Sequence, residues 1–171
     1  MELLVRALRR DDDRSQFRSG DASLDTFFVQ YAGQHQFKAS ASVTYVVEGE
    51  ERLAGYATVT AACVDIVDLP PEDRLRYPYP APVLSLARLA TDERDRRRGI
   101  GGRLLAHVFV LAAKMADDLG CVGVVVDSKA GALSFYEKFG FKPRPVVTAT
   151  AETPTPLFLK IATIKKALRS A

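Results

Sequence analysis

The residues best equipped for chemistry form one run, Arg96-Arg97-Arg98-Gly99-Ile100-Gly101-Gly102, set between an apolar segment and a long helical pattern. Glycines let the backbone turn so that successive N–H groups converge, and a helix N-terminus adds positive potential. With the arginines supplying further charge, the arrangement suits a pyrophosphate. A dinucleotide fingerprint needs three glycines in a fixed spacing at the first βα turn, and here the glycines lie mid-chain in another spacing. A nucleotide P-loop needs Gly-Lys-Ser/Thr, and Gly102-Arg103-Leu104 does not supply it. By itself the cluster reads equally well as a flexible helix start. The flanking elements decide.

Other reactive types are sparse. Two cysteines, Cys63 and Cys121, sit in apolar stretches and read as buried thiols. His35 and His107 have no close Cys or His companions, so no metal site is expected. His107 falls within the long helix, where a surface or packing role is simpler than catalysis. Asp127, at a strand end, reads as a cap for the helix that follows. No carboxylate or histidine presents itself as a general base.

Several elements must position the glycine run. Leu3 to Ala7 reads as a strand. Asp21 or Ser23 caps a helix through Leu24, Phe27, Phe28 and Tyr31 to about Phe37, with those aromatics assigned to the core. Val43 to Glu48 and a second strand from Leu53 to Val59 or beyond make a hairpin across Gly49-Glu50. Asp65 to Pro82 carries five prolines and reads as a long irregular excursion. Val83 to Ala90 is a strand, Thr91 to Arg98 a polar loop, and the helix opened by the glycines runs to about Asp118. It buries Leu104, Leu105, Val108, Leu111, Ala112 and Met115. Val122 to Val126 is a buried strand, Ala130 to Lys138 a short helix, Phe141 the start of a further strand, and Leu157 to Ile161 the last. The order predicts a mixed α/β fold, with antiparallel strands first and crossover helices later.

The composition fits one globular domain of 171 residues, 47% apolar and 26% charged. A net charge of +3 does not by itself imply nucleic acid. No signal-peptide pattern and no apolar run of spanning length occur, so the expectation is a cytoplasmic protein without membrane attachment.

The glycine run resembles the coenzyme A motif of the GNAT superfamily of N-acetyltransferases, Gln/Arg-x-x-Gly-x-Gly/Ala, with Arg96, Gly99 and Gly101 in its positions. Leu86-Ala87-Arg88-Leu89-Ala90 is similar to that family's central strand, which splays from its neighbour and bonds the pantetheine arm. Ala132-Leu133-Ser134-Phe135-Tyr136-Glu137-Lys138-Phe139-Gly140-Phe141 is similar to its later Ala-x-x-Phe-Tyr-x-x-x-Gly-Phe pattern. The resemblance implies one GNAT-like domain over residues 1–171, with a mostly antiparallel, splayed central sheet flanked by helices. It implies acetyl-CoA as donor, held by Leu89, Ala90, Arg96, Arg97, Arg98, Gly99, Ile100, Gly101, Gly102 and Phe135. Tyr136 is then the catalytic residue that protonates the departing thiolate, and N–H groups near Leu89 and Ala90 polarise the thioester carbonyl.

A narrower resemblance covers nearly the whole chain. Phe17-Arg18-Ser19-Gly20-Asp21-Ala22-Ser23-Leu24-Asp25-Thr26-Phe27-Phe28 and Pro82-Val83-Leu84-Ser85-Leu86-Ala87-Arg88-Leu89-Ala90-Thr91-Asp92 are similar to segments of the GNAT toxins of bacterial type II toxin–antitoxin pairs. Those enzymes acetylate the free α-amine of the aminoacyl group of charged tRNA and so block translation. The resemblance implies charged tRNA as substrate, a ribbon-helix-helix antitoxin as partner, and a homodimer. Arg88, Arg94, Lys142 and Arg144 are the candidate substrate-binding residues, with Lys165, Lys166 and Arg169 as further basic positions. Two other readings stay open: acetylation of a protein or small-molecule amine, and a catalytically silent interaction protein. A polyamine acceptor would want acidic residues, and Asp65, Asp68, Glu72 and Asp73 offer them.

Overall fold

Alternating β-branched residues fold the middle of the sequence into strands. The computed structural model describes residues 3–75, 80–145 and 154–171. Strand β1 is Val5–Ala7, β2 Val43–Glu48, β3 Leu53–Val64, β4 Ala81–Thr91, β5 Gly123–Ser128, β6 Lys142–Pro143 and β7 Thr155–Lys160. They form one sheet in the order β1-β2-β3-β4-β5-β7-β6. The pairs β1/β2, β2/β3, β5/β7 and β6/β7 are antiparallel. The predicted hairpin is present, closed by the Gly49 N–H on the Arg52 carbonyl at 2.9 Å. Helices α1 (Ala22–Thr26), α2 (Ile100–Asp118), α3 (Leu133–Lys138) and α4 (Ile161–Arg169) complete a mixed α/β fold. Among the described residues no helix is long and apolar enough to cross a membrane.

The chain gathers into two compact units. The first comprises Met1–Thr60 and Leu86–Val108. Its core is aromatic, built from Leu8, Phe17, Phe27, Phe28, Ala32, Val46, Leu53, Tyr56 and Ala90. Tyr56 is its centre: Phe28 stacks on it at 4.2 Å and Phe17 meets it edge-on at 5.5 Å. Such pairs contribute about 0.5–1.5 kcal/mol each beyond area burial. The Tyr56 hydroxyl donates to the Leu24 carbonyl at 2.7 Å, which fixes α1 against β3. Beyond α1 the helix continues as two π-helical turns, Phe27–Tyr31 and Gln34–Lys38, in which the Ala32 N–H reaches back to Phe27 and the Ala39 N–H to Gln34. Next to Tyr56, Gly55 lets the start of α2 lie directly on β3. A Cβ there would stand 2.6 Å from Ile100 Cγ2 and 3.2 Å from Leu104 Cδ1.

The second unit comprises Ala61–Ser85 and Phe109–Ala171. Leu69, Ala81, Val83, Val125 and Phe158 form one core cluster. A second group of rings joins Phe109, Phe135, Tyr136, Phe139 and Phe141 at centroid distances of 5.2–6.2 Å.

Several expectations change. The excursion from Asp65 to Pro82 is partly ordered: 3₁₀ turns occupy Ile66–Asp68 and Pro71–Asp73, and β4 already starts at Ala81. Its Pro78 lies outside the described residues. Cys121 is buried as expected, but Cys63 is exposed because the outer end of β3 lacks cover on that face. Leu111 and Met115 are half-buried. The last strand ends at Lys160, and Ile161 opens α4, a helix that the sequence reading did not include.

Candidate active site

The end of β4 organises the site. The Asp92 N–H donates to the Ala54 carbonyl at 2.8 Å, so the chain leaves the sheet at a fixed point. The Asp92 side chain is fully buried. It accepts the Arg18 N–H at 3.1 Å, the Arg94 N–H at 3.0 Å, Arg94 Nε at 2.8 Å and Arg94 Nη2 at 2.7 Å. Burial pushes this carboxyl up, but the Arg94 and Arg18 donors outweigh it and hold it at about 2. Three more bonds run the same way: Glu93 N–H to Arg18 O at 2.8 Å, Arg94 Nη2 to Gln16 O at 2.6 Å, and Arg96 Nη2 to Ser19 O at 2.8 Å. The segment leading into α1 is therefore strapped to the loop that leads into α2.

These bonds redistribute the arginines. Arg94 is committed to Asp92, and Arg96 to the Ser19 carbonyl. Arg98 Nη1 donates to Asp95 at 2.7 Å, where Arg52 Nη2 also binds at 2.9 Å. Arg97 keeps no side-chain partner among the described residues. It adopts φ +65°, and Gly99 adopts φ +76°. A non-glycine residue there is uncommon and strained. The two left-handed residues fold the backbone sharply just before Ile100 begins the 19-residue helix α2. A Cβ on Gly99 would meet nothing within 4 Å, so the space beside the loop is open. A turned backbone, a helix N-terminus and an open approach are what a pyrophosphate needs. Of the predicted residues, Gly99 sits in this turn and Ile100, Gly101 and Gly102 begin α2, with Ile100 buried on Gly55 as its anchor.

On β4 just before this loop, Arg88 lines a pocket of about 450 Å³ with Ala22, Ser23, Thr26, Phe27 and Tyr31. The Arg88 guanidinium carbon lies 3.7 Å from the centroid of the Phe27 ring, a cation–π contact. Phe27 is itself buried and braced edge-on by His35 at 5.3 Å. Tyr31, expected in the core, is instead 46% exposed and forms part of the wall. The π-helical turn accounts for this, because its wider winding rotates residues three apart, such as Phe28 and Tyr31, away from a common face. Leu89 and Ala90 follow Arg88 on the strand, half-buried and buried respectively.

The remaining predicted residues belong to the second unit. Tyr136 on α3 is 5% exposed, between the rings of Phe135 and Phe141. Burial pushes its hydroxyl up to about 12, so it keeps its proton throughout the neutral range. Among the described residues nothing hydrogen-bonds that hydroxyl. Lys142 is paired with Glu72 at 3.2 Å and Arg144 lies 3.9 Å from Asp127. Asp127 thus meets an arginine, and the turn at Ala130 has no side-chain cap. Lys165 is bonded to Asp117. His107 packs on Tyr45 at 4.5 Å. Asp92, Asp95 and Ser19 are participants that the sequence reading did not assign. An acidic residue after a strand carries no local sign of a partner 74 residues away.

Comparison with known proteins places this geometry. Residues 40–143 match the acetyltransferase (GNAT) domain model. A tRNA-acetylating toxin of Mycobacterium tuberculosis (strain ATCC 25618 / H37Rv) is 30% identical over 135 residues, 78% of this chain and 81% of that protein. Among solved structures, AtaT complexed with acetyl-methionyl-tRNAfMet superposes with a TM-score of 0.84 at 24% identity, covering 98% of this chain and 99% of that one. A mutant AtaT toxin bound to the C-terminus of the antitoxin AtaR and acetyl-CoA gives a TM-score of 0.78 at 23% identity, covering 99% of each chain.

Proposed function

The chain belongs to the GNAT acetyltransferase domain family, and from that premise we propose that it moves the acetyl group of acetyl-CoA to the free α-amine of the aminoacyl group of charged tRNA. In this reading it works in the cytoplasm as the toxin of a toxin–antitoxin pair, restrained by a ribbon-helix-helix antitoxin, and residues 1–171 form one acetyltransferase domain. One observation carries the reading: the end of β4 bears the Arg88 pocket and, through Asp92, leads into an open, left-handed loop at the α2 N-terminus. An acceptor site and a donor site thus grow from the same strand. The relative from M. tuberculosis supports the choice of acceptor.

Acetyl-CoA, when bound, supplies an activated thioester. The backbone of Arg97 to Gly102 receives the pyrophosphate, with the Arg97 guanidinium adding charge from a position that no carboxylate among the described residues neutralises. N–H groups at Leu89 and Ala90 polarise the thioester carbonyl. Arg88 orients the acceptor. An α-amine has a reference pKa near 8, so at pH 7 roughly a tenth is neutral and can attack without a dedicated base. As the N–C bond forms and the C–S bond breaks, the nitrogen loses one proton and the sulfur gains one. Tyr136 Oη donates the latter and is then reprotonated.

Two of the four acids behind the polyamine reading are already paired with lysines, Glu72 with Lys142 and Asp73 at 3.9 Å from Lys160. A cell-free translation reaction tests the proposal. Adding the protein should stop synthesis only when acetyl-CoA is present, and fresh charged tRNA should restore it. Inhibition that does not depend on acetyl-CoA would refute the assignment.

A further inference from the structure

The Arg88 pocket has an uneven chemistry that bears on which aminoacyl group it accepts. Ala22, Phe27 and Tyr31 give it an apolar wall, and Ser23 and Thr26 contribute two short hydroxyls. The charged group is Arg88, and it is half-buried. Among the described residues no carboxylate pairs with it. Asp21 and Asp25 keep their charge but do not line the pocket: Asp21 is turned onto the N–H groups of Ser23 and Leu24, and Asp25 onto the N–H and hydroxyl of Ser19. On the neighbouring loop Arg94, Arg96 and Arg98 are each held by a carboxylate or a carbonyl, whereas Arg97 has no side-chain partner among the described residues.

The position of that charge is also fixed. Arg88 lies face-on to Phe27 at 3.7 Å, and the Phe27 ring is wedged against His35 and Tyr56 in the aromatic core. A guanidinium resting on a locked ring keeps its charge over the pocket. A second cation entering the pocket therefore meets a like charge, while a neutral side chain meets two rings and a methyl group.

We propose that Arg88 is a specificity-determining residue, a charge filter that rejects lysyl and arginyl groups and admits uncharged aminoacyl side chains. The inference rests on the aminoacyl-tRNA reading above and goes beyond it in naming the acceptor class. The pocket is open to solvent, so the effective dielectric lies between the protein-surface and bulk-water limits. At contact-scale separations that gives discrimination on the order of tenfold. Screening reduces it as salt is added.

The test uses one tRNA body charged chemically with either norleucine or lysine, which share chain length and differ by the terminal ammonium. The quantity read is the ratio of kcat/KM for α-amine acetylation of the two. The wild-type protein should favour norleucyl-tRNA about tenfold at low salt, with the ratio falling as ionic strength rises. Arg88→Gln should bring the ratio close to unity whatever it does to the absolute rates, and Arg88→Lys should preserve it. Should Arg88→Gln not fold, the salt dependence of the wild-type ratio decides. Equal use of both tRNAs by the wild type, or a preference unmoved by salt and by Arg88→Gln, overturns the filter alone. Acetylation of neither tRNA overturns the acceptor reading and the filter together.

Discussion

Replacing Asp92 by asparagine removes one charge from the point where the coenzyme loop leaves the sheet, while keeping the shape of the side chain. The carboxylate accepts donors from Arg18 and Arg94 and has no exposure to water. Its drop from an ordinary 3.8 to about 2 corresponds to about 2.5 kcal/mol, at about 1.36 kcal/mol per pH unit. Because the folded pKa is depressed, this stability is present above about pH 4 and is lost as pH falls toward about 2. Asparagine resembles the protonated carboxyl, so the variant lacks the term at every pH. At pH 7 it should unfold about 2.5 kcal/mol more easily, a fall of roughly 5–10 °C in Tm for a chain of this size. Urea unfolding of both proteins at a series of pH values provides the assay. The gap between them should be widest at neutral pH and shrink as pH drops through 4. A gap that is absent at pH 7, or that does not change with pH, would refute the role given to this carboxylate.

Other substitutions address other contacts. Gly55→Ala places a methyl 2.6 Å from Ile100 Cγ2 and should destabilise the fold by about 1–3 kcal/mol through overpacking, which thermal unfolding will register. Gly99→Ala meets no atom but must hold φ +76°. It should lose about 1 kcal/mol of stability and weaken acetyl-CoA binding measured by calorimetry. Tyr136→Phe keeps the buried ring and removes the hydroxyl, so kcat should fall 10-fold or more while acetyl-CoA affinity changes little. An unchanged kcat would end the proton-donor assignment.

Much of this was legible from residue types. The hairpin, α2, and the alternation of strand and helix announce themselves through periodicity and glycine punctuation. The donor loop was visible because a glycine cluster favours a left-handed turn, which Gly99 takes, and a helix follows at once. What stayed hidden depends on partners distant in sequence. Arg94, Arg96 and Arg98 look like a phosphate-binding patch, yet each is held within the chain, since Asp92, Ser19 and Asp95 reach them only after folding. Tyr31 follows the same apolar pattern as Phe28, and only the π-helical turn moves it from core to pocket wall. The missing α4 has a physical reason as well. It begins directly after β7 with no capping side chain at Lys160, so no start signal separates strand from helix. Its Ile161, Ile164 and Leu168 do carry the helical spacing that a longer window would have caught.

The central claim concerns where the acetyl group goes. Charged and uncharged samples of one tRNA are incubated with the protein and isotopically labelled acetyl-CoA, then digested so that the terminal adenosine is released with its amino acid attached. Mass analysis of that fragment should find the label on the α-nitrogen of the amino acid in the charged sample and none on uncharged tRNA. Label on the nucleotide itself, or none on any charged tRNA while acetyl-CoA binding is intact, would contradict the account.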